Sequence, residues 1–144
     1  MRYSINKLPR SVKEDLYNQH AMFVNPEETE RKFYTRTLRV KFIDLTKIPE
    51  NVLYKMSDDE CNNYYKAMEE NPELRLAIIT EGKLKDGLHR ITALIRKGVT
   101  SMLAVDATGL LEVENSGYIC DIDITREKPD NFRKSKESEF ERSL

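Results

Sequence analysis

A short stretch near the middle of the chain has the residues best suited to chemistry. It reads Asp86-Gly87-Leu88-His89-Arg90 and stands between a predicted strand and a predicted helix. A glycine at such a turn lets backbone amides approach a ligand, and the start of a helix offers unpaired N–H groups and a positive dipole. His89 and Arg90 fall in the first helical turn, where that dipole disfavours cations. Two cations in this position are typical of an anion site, so we expect a phosphate or carboxylate to bind there.

The same stretch also has a structural interpretation. Asp86 can be the N-cap of the helix, Gly87 an ordinary turn residue, and Arg90 the partner of an acid across the sheet. We expect Arg90 to be a surface charge, so that its replacement by alanine abolishes ligand binding and lowers stability by less than about 1 kcal/mol.

Helix-start patterns indicate the elements that position this stretch. Residues 11–14 (Ser-Val-Lys-Glu) and 57–60 (Ser-Asp-Asp-Glu) are capping boxes, which predict helices ending near residues 22 and 70. Residues 25–28 (Asn-Pro-Glu-Glu) predict a helix with Asn25 as its N-cap. The helix after Gly87 has apolar residues at helical spacing, and Gly98 is a suitable residue to end it.

Strand patterns alternate with these helices. Alternating residues predict a strand from Leu38, with a bulge or register change near Asp44. Apolar residues predict strands at 76–80 and 102–105, and a turn at 81–82 predicts a short hairpin arm at 83–85. A final strand is predicted at 118–124, with Tyr118, Cys120, Ile122 and Ile124 on one face. The order predicts an α+β fold, a small mixed β-sheet with flanking helices.

Composition limits the class of protein. The chain has 144 residues, 24 basic and 25 acidic, so we expect one domain that is not a globally basic nucleic-acid binder. The chain has no run of 18 apolar residues, so we expect no membrane span. Its N-terminal residues lack the apolar stretch of a secretory signal. Cys61 and Cys120 lie far apart, and His20 and His89 lack neighbours at zinc spacing. We therefore expect a cytoplasmic protein with free thiols and no metal ligands of its own.

We divide the chain into an N-terminal helical arm (1–37), a main domain (38–125) and a charged tail (126–144) that we expect to be disordered. The arm could pack on the main domain or, like the tail, on a partner protein. Basic residues with interleaved Phe33 and Tyr34 occur between Arg31 and Lys41. They could touch nucleic acid, but a solvated helix face is the favoured interpretation.

Part of the chain resembles the signature of the ParB/sulfiredoxin superfamily. The resemblance is carried by residues 85–94 (Lys-Asp-Gly-Leu-His-Arg-Ile-Thr-Ala-Leu), by Lys97-Gly98-Val99 and by the strand at 102–105. That signature is a strand, an Asp/Gly-Gly-x-His/Arg-Arg turn, a helix with small residues, a glycine and another strand. Residues 40–50 resemble the family's first strand and following loop. The resemblance covers residues 38–107 and implies the ParB/sulfiredoxin fold.

The resemblance implies nucleotide binding. Members of the family hold the phosphates of CTP or ATP with a glycine-x-x-arginine turn, which Gly87, Leu88 and Arg90 match in position. His89 matches the family's His/Arg position and would contact the phosphates as well. Any Mg²⁺ would be held by the phosphates and would need few protein ligands.

At two points the chain departs from the family's pattern, and each departure argues against one of the family's functions. Leu88 stands where sulfiredoxins have their reactive cysteine, which argues against sulfinic-acid reduction. Chromosome-segregation ParB proteins continue into a helix-turn-helix domain, but about 37 residues follow Ala107, too few for that module. DNA is therefore not a favoured partner.

The chain resembles the stand-alone branch that includes the free-serine kinases, whose motif is Asp-Gly-His-His-Arg. There a glutamate after the first strand serves the acceptor hydroxyl, and Glu50 matches it. This implies that Glu50 orients or deprotonates a hydroxyl, with Asp86 as a second catalytic candidate and Arg90 stabilising charge. Glu50 as a solvated loop residue or helix-start acid, and Asp86 as an N-cap, remain the structural interpretations.

The sequence is consistent with three functions. The leading hypothesis is NTP-dependent phosphotransfer or hydrolysis. The second is a nucleotide-sensing or interaction module without turnover, which contacts a protein or DNA through its arm or tail. The third is a phage or mobile-element effector, because some relatives are described as nucleases or ADP-ribosyltransferases.

Overall fold

The described part of the chain, residues 2–23, 25, 27, 29–111 and 118–126 of a computed structural model, contains four α-helices and six strands. The helices are α1 (Arg10–Phe23), α2 (Glu30–Tyr34), α3 (Asp58–Glu70) and α4 (Leu88–Arg96). The strands are β1 (Arg2–Ser4), β2 (Thr37–Asp44), β3 (Leu76–Thr80), β4 (Lys83–Asp86), β5 (Ser101–Asp106) and β6 (Ile124–Thr125). The predicted α+β class, with a small mixed sheet and flanking helices, is confirmed.

The strands form one mixed sheet in the order β1-β2-β5-β3-β4, with β6 beside β2. β3 and β5 run parallel, and the other pairs are antiparallel. β2 pairs with β5 in unbroken register from Arg39 to Asp44, so the bulge predicted near Asp44 is wrong. The strand instead ends in a 3-10 helix (Leu45–Lys47), where the Asp44 side chain accepts a hydrogen bond from the Thr46 N–H.

Both faces of the sheet are covered at its centre, where β3 and β5 are buried. One face packs against α1 and α2 through Leu38, Val40, Leu76, Ile78, Leu103 and Val105. The other packs against α3 and α4 through Ile43, Ala77, Ile79, Met102 and Ala104. Burial on two sides explains why β3 and β5 read as apolar runs rather than as alternating strands.

The N-terminal helices lie on the main body. Leu16 of α1 and Phe33 of α2 are fully buried in the cluster on their face of the sheet, and β1 pairs with β2. The N-terminal helices therefore pack on the main domain, which was one of the two arrangements expected from the sequence. The division at residue 37 stays a prediction.

The helix starts differ in how well the sequence predicts them. The Ser57 hydroxyl accepts from the Glu60 N–H, which confirms Ser57 as the N-cap of α3, but the Glu60 carboxylate accepts from that hydroxyl rather than from the Ser57 N–H. The capping box predicted at 11–14 is wrong, because α1 begins at Arg10 and the Glu14 carboxylate accepts from the Arg10 side chain. Asn25 is not an N-cap, because α2 begins only at Glu30 and Thr29 caps it. The Asn25 side chain accepts instead from the Glu27 N–H, closing a local turn. Pro26 and Glu28 lie outside the described residues.

The strand predicted at 118–124 is largely wrong. Ile119 and Cys120 exchange hydrogen bonds with Leu84 of β4, whereas the Asp123 carbonyl accepts from the N–H of Asp44 in β2. Residues 119–125 therefore bridge two strands that are three places apart in the sheet. The alternation expected of one strand fails as a result, since Cys120 and Ile122 are buried but Tyr118 and Ile124 are exposed. Residues 127–144, the rest of the tail, lie outside the described residues.

Candidate functional site

Gly87 sets the turn from β4 into α4. Its φ is +114°, and a Cβ at this position would lie 3.3 Å from the Cβ of Ala77 in β3. The backbone angle strongly favours glycine, and the close approach leaves little room for a side chain. Gly87, not Asp86, is the N-cap of α4, which corrects the structural interpretation of Asp86.

No side chain among the described residues caps α4. The Asp86 carboxylate instead accepts from the N–H of Gly87 at 2.9 Å. The N–H groups of the first turn of a helix have no partner within the helix. The start of α4 therefore keeps the donors and the positive dipole that an anion site needs.

Arg90 is fixed to the protein backbone. Its Nη1 donates to the carbonyl oxygens of Leu74 at 2.7 Å and Leu76 at 2.8 Å, and its side chain is 19% exposed. Its Nη2 lies 3.9 Å from the Asp86 carboxylate, and burial lowers the pKa of the guanidinium against the opposing effect of Asp86. The expectation of a surface charge is wrong, since Arg90 holds the start of β3 in place.

Asp15, on α1, joins this charged cluster, although no sequence pattern predicts it. Burial raises the pKa of Asp15, and the nearby Asp86 raises it further, against a hydrogen bond from Gln19 and the charges of Arg90 and Lys85. Because α1 and β4 are about 70 residues apart in sequence, no local pattern could have paired them.

His89 stacks on two tyrosines. Its ring centroid lies 3.7 Å from that of Tyr54, with 15° between the planes, and 5.8 Å from that of Tyr64, with 20° between them. All three side chains are exposed. The sequence predicted His89 as a phosphate contact, but it did not predict this aromatic stack, because Tyr54 stands in a loop without periodicity.

The predicted motif lines one pocket of about 340 Å³. Its described walls are Tyr64, Ala67 and Met68 of α3, Leu74, and all of Asp86, Gly87, Leu88, His89 and Arg90. Five of the six candidate site residues are thus brought together. Glu50 is not, since it is exposed in a 3-10 helix (Glu50–Val52) and is not among the described residues of this pocket.

Comparison of the chain with protein-family models, with curated proteins and with solved structures finds no match in any of the three. Within the described residues, no group of three or more His, Cys, Asp and Glu side chains could hold a metal ion. None of the described helices is both long and apolar enough to cross a membrane. The interpretation of the pocket therefore depends on its own residues.

Proposed function

We propose that the protein binds a nucleotide of the ATP or CTP type in the pocket between α3 and the start of α4. The observation that carries the proposal is the convergence of Asp86–Arg90 on one pocket at an uncapped helix N-terminus. The resemblance of residues 38–107 to the ParB/sulfiredoxin superfamily supports the same ligand. On this proposal the fold is of the ParB/sulfiredoxin type.

The phosphates would lie against the first turn of α4. The N–H groups of Leu88, His89 and Arg90 would donate to the phosphate oxygens, and the helix dipole favours their charge. Arg90 would act mainly through its positive field, because its Nη1 is already bonded to two carbonyl oxygens. Mg²⁺ would be bound through the phosphates.

The base would lie toward the aromatic wall. Tyr64 lines the pocket and is 36% exposed, and the ring of His89 beside it is nearly parallel. Nucleic-acid bases stack on aromatic side chains without strong preference for one base. This wall suits a nucleotide better than it suits an isolated phosphate.

The leading reaction is NTP-dependent phosphotransfer to a hydroxyl, or hydrolysis. Asp86 is exposed in the pocket and can accept a proton from the attacking hydroxyl or water. For Glu50 to act as the base, its side chain would have to reach this pocket from the 3-10 helix Glu50–Val52. The loop that follows it contacts α4, since the Tyr54 N–H donates to the Thr92 hydroxyl at 3.3 Å.

We expect Ala67→Glu to weaken ATP and CTP binding at least tenfold, because it adds a carboxylate to the wall of the pocket that would hold the negatively charged nucleotide. Isothermal titration with ATP, CTP, GTP and NAD measures the effect. Asn63→Glu is the matched control: it adds the same charge one turn away, at an exposed position that does not line the pocket. Equal affinities for the two variants, or no binding of any nucleotide by the unaltered protein, would refute the proposal.

We expect Glu50→Gln to bind nucleotide with unchanged affinity but to lose turnover, because the amide cannot accept the proton of an acceptor hydroxyl. Product analysis with Mg²⁺ and ATP measures turnover, and titration measures affinity. If Glu50→Gln retains the rate of the unaltered protein, Glu50 has no part in the reaction.

The second candidate, a nucleotide-sensing module without turnover, is favoured by one observation. Glu50 is not among the described lining residues of the pocket, and one of the two Asp86 oxygens already accepts from the Gly87 N–H. Only the second Asp86 oxygen then remains as a base near the bound nucleotide. Binding without product formation would establish this candidate instead.

A further inference from the structure

A second pocket, of about 400 Å³, opens where β2 begins and β5 ends. It is distinct from the pocket at α4, since the two share none of their described lining residues. Its described walls are Arg2, Thr37, Leu38, Arg39, Lys41, Gly82, Asp106 and Thr108. Three of these side chains are cations and one is an anion, so the pocket has an excess of positive charge.

Two of the cations lie directly opposite each other. Arg2 of β1 and Arg39 of β2 are register partners, so their side chains leave the same face of the sheet. Directly opposed residues in an antiparallel pair have Cβ atoms about 5 Å apart, and like charges there are destabilising. A pair that costs stability in the free protein needs a compensating role.

The one acid among the described lining residues, Asp106, does not neutralise this pair. Asp106 is the register partner of Arg39, but one of its oxygens accepts from Lys41 at 2.7 Å and the other from the N–H and hydroxyl of Thr108. Although burial acts to raise it, these hydrogen bonds hold the pKa of Asp106 below its usual value. Asp106 is therefore an ionised group committed to its own partners.

Arg39 is left without a carboxylate. Its side chain is exposed, and no ion pair joins it to any described residue. The Arg2 guanidinium donates one hydrogen bond within the described residues, to the Thr37 hydroxyl at 3.4 Å. Two guanidinium groups therefore face the pocket with most of their donors unused.

We propose that this pocket binds the phosphate group of a small phosphorylated ligand. Guanidinium groups offer paired donors that match the oxygens of a phosphate, and two of them can hold a doubly charged group. Gly82, which has no side chain, leaves room beside them at the turn between β3 and β4. Binding the phosphate would offset the repulsion between Arg2 and Arg39.

The test is a titration of the ¹⁵N-labelled full chain with inorganic pyrophosphate, followed by amide chemical shifts. The Ala67→Glu background suppresses binding at α4. We expect saturable shifts at Thr37, Gly82 and Thr108, and a dissociation constant at least tenfold weaker in Arg39→Gln. Arg31→Gln, which removes an exposed arginine of α2 outside the pocket, should change it less than twofold.

Arg2→Gln is a second variant that should weaken binding like Arg39→Gln, and it covers the case in which Arg39→Gln fails to fold. Shifts that do not saturate, shifts confined to residues 87–90, or equal weakening in Arg31→Gln would each overturn the proposal. Because the probe residues differ, loss of nucleotide binding at α4 leaves this result unchanged.

Discussion

Arg90→Ala is expected to lower the free energy of unfolding by about 3 kcal/mol. The substitution leaves the carbonyl oxygens of Leu74 and Leu76 without the Nη1 donor that now lies within 2.8 Å of both. Hydrogen bonds from charged groups contribute about 1.5–3 kcal/mol, and a buried acceptor left unpaired costs more than the bond itself gained. Urea unfolding followed by far-UV circular dichroism measures the loss.

Two further variants show whether the loss comes from these bonds. Arg10→Ala removes an arginine that is 83% exposed and pairs only with Glu14 among the described residues, so it should leave the unfolding midpoint nearly unchanged. Arg90→Lys keeps the charge but replaces the planar guanidinium with a compact ammonium whose donors are not fixed in one plane, so it should be intermediate. If Arg90→Ala were as stable as Arg10→Ala, the backbone contacts of Arg90 would not support the fold in solution.

This structural role changes how Arg90 can be used to test nucleotide binding. A variant that loses both affinity and stability cannot separate a binding residue from a structural one. Ala67→Glu and Asn63→Glu are better placed for that purpose, because both change α3 at positions that make no such backbone contacts in the described structure.

Gly87→Ala is expected to lower the free energy of unfolding by about 2–3 kcal/mol and to weaken nucleotide binding along with it. A residue with a side chain pays about 1–3 kcal/mol to adopt a sparsely populated backbone conformation, and φ of +114° is one. The added Cβ would also lie 3.3 Å from Ala77 and 3.5 Å from the Arg90 guanidinium. Thermal unfolding and ATP titration measure the two effects.

Gly98→Ala separates the cost of the backbone angle from the cost of the close contact with Ala77. Gly98 follows α4 with φ of +79°, and an added Cβ there would meet nothing within 4 Å. Its cost should therefore be the backbone term alone, about 1–2 kcal/mol. Gly87→Ala at equal or lower cost than Gly98→Ala would mean that the start of α4 can move away from β3, and with it the proposed phosphate site.

Local chemistry made much of the fold predictable. Ser57 and Glu60 define the start of α3 by themselves, and the apolar run at 76–80 is a strand because it is buried on both faces. The segment at 118–125 could not be predicted in this way. Its conformation depends on hydrogen bonds to Leu84 and Asp44, which are remote in sequence and leave no periodic signal.

The site was predictable in composition but not in the roles of its residues. The motif at 86–90 does line a pocket, because a strand–glycine–helix junction constrains where five consecutive residues lie. The partners of those residues come from elsewhere: Leu74 for Arg90, Tyr54 for His89, and Asp15 for the charge cluster. Contacts of this kind follow from the packing of distant elements, which spacing along the chain does not encode.

The path of residues 119–125 has a consequence for solubility. Strand edges with unpaired N–H and C=O groups are templates on which other chains can aggregate. By bonding first to β4 and then to β2, this segment shields the outer side of β4 and the second half of β2. A chain cut after Leu111 would keep both core clusters largely intact but would leave the outer edges of β4 and β2 unpaired. Such a chain would self-associate through these edges before it lost its fold.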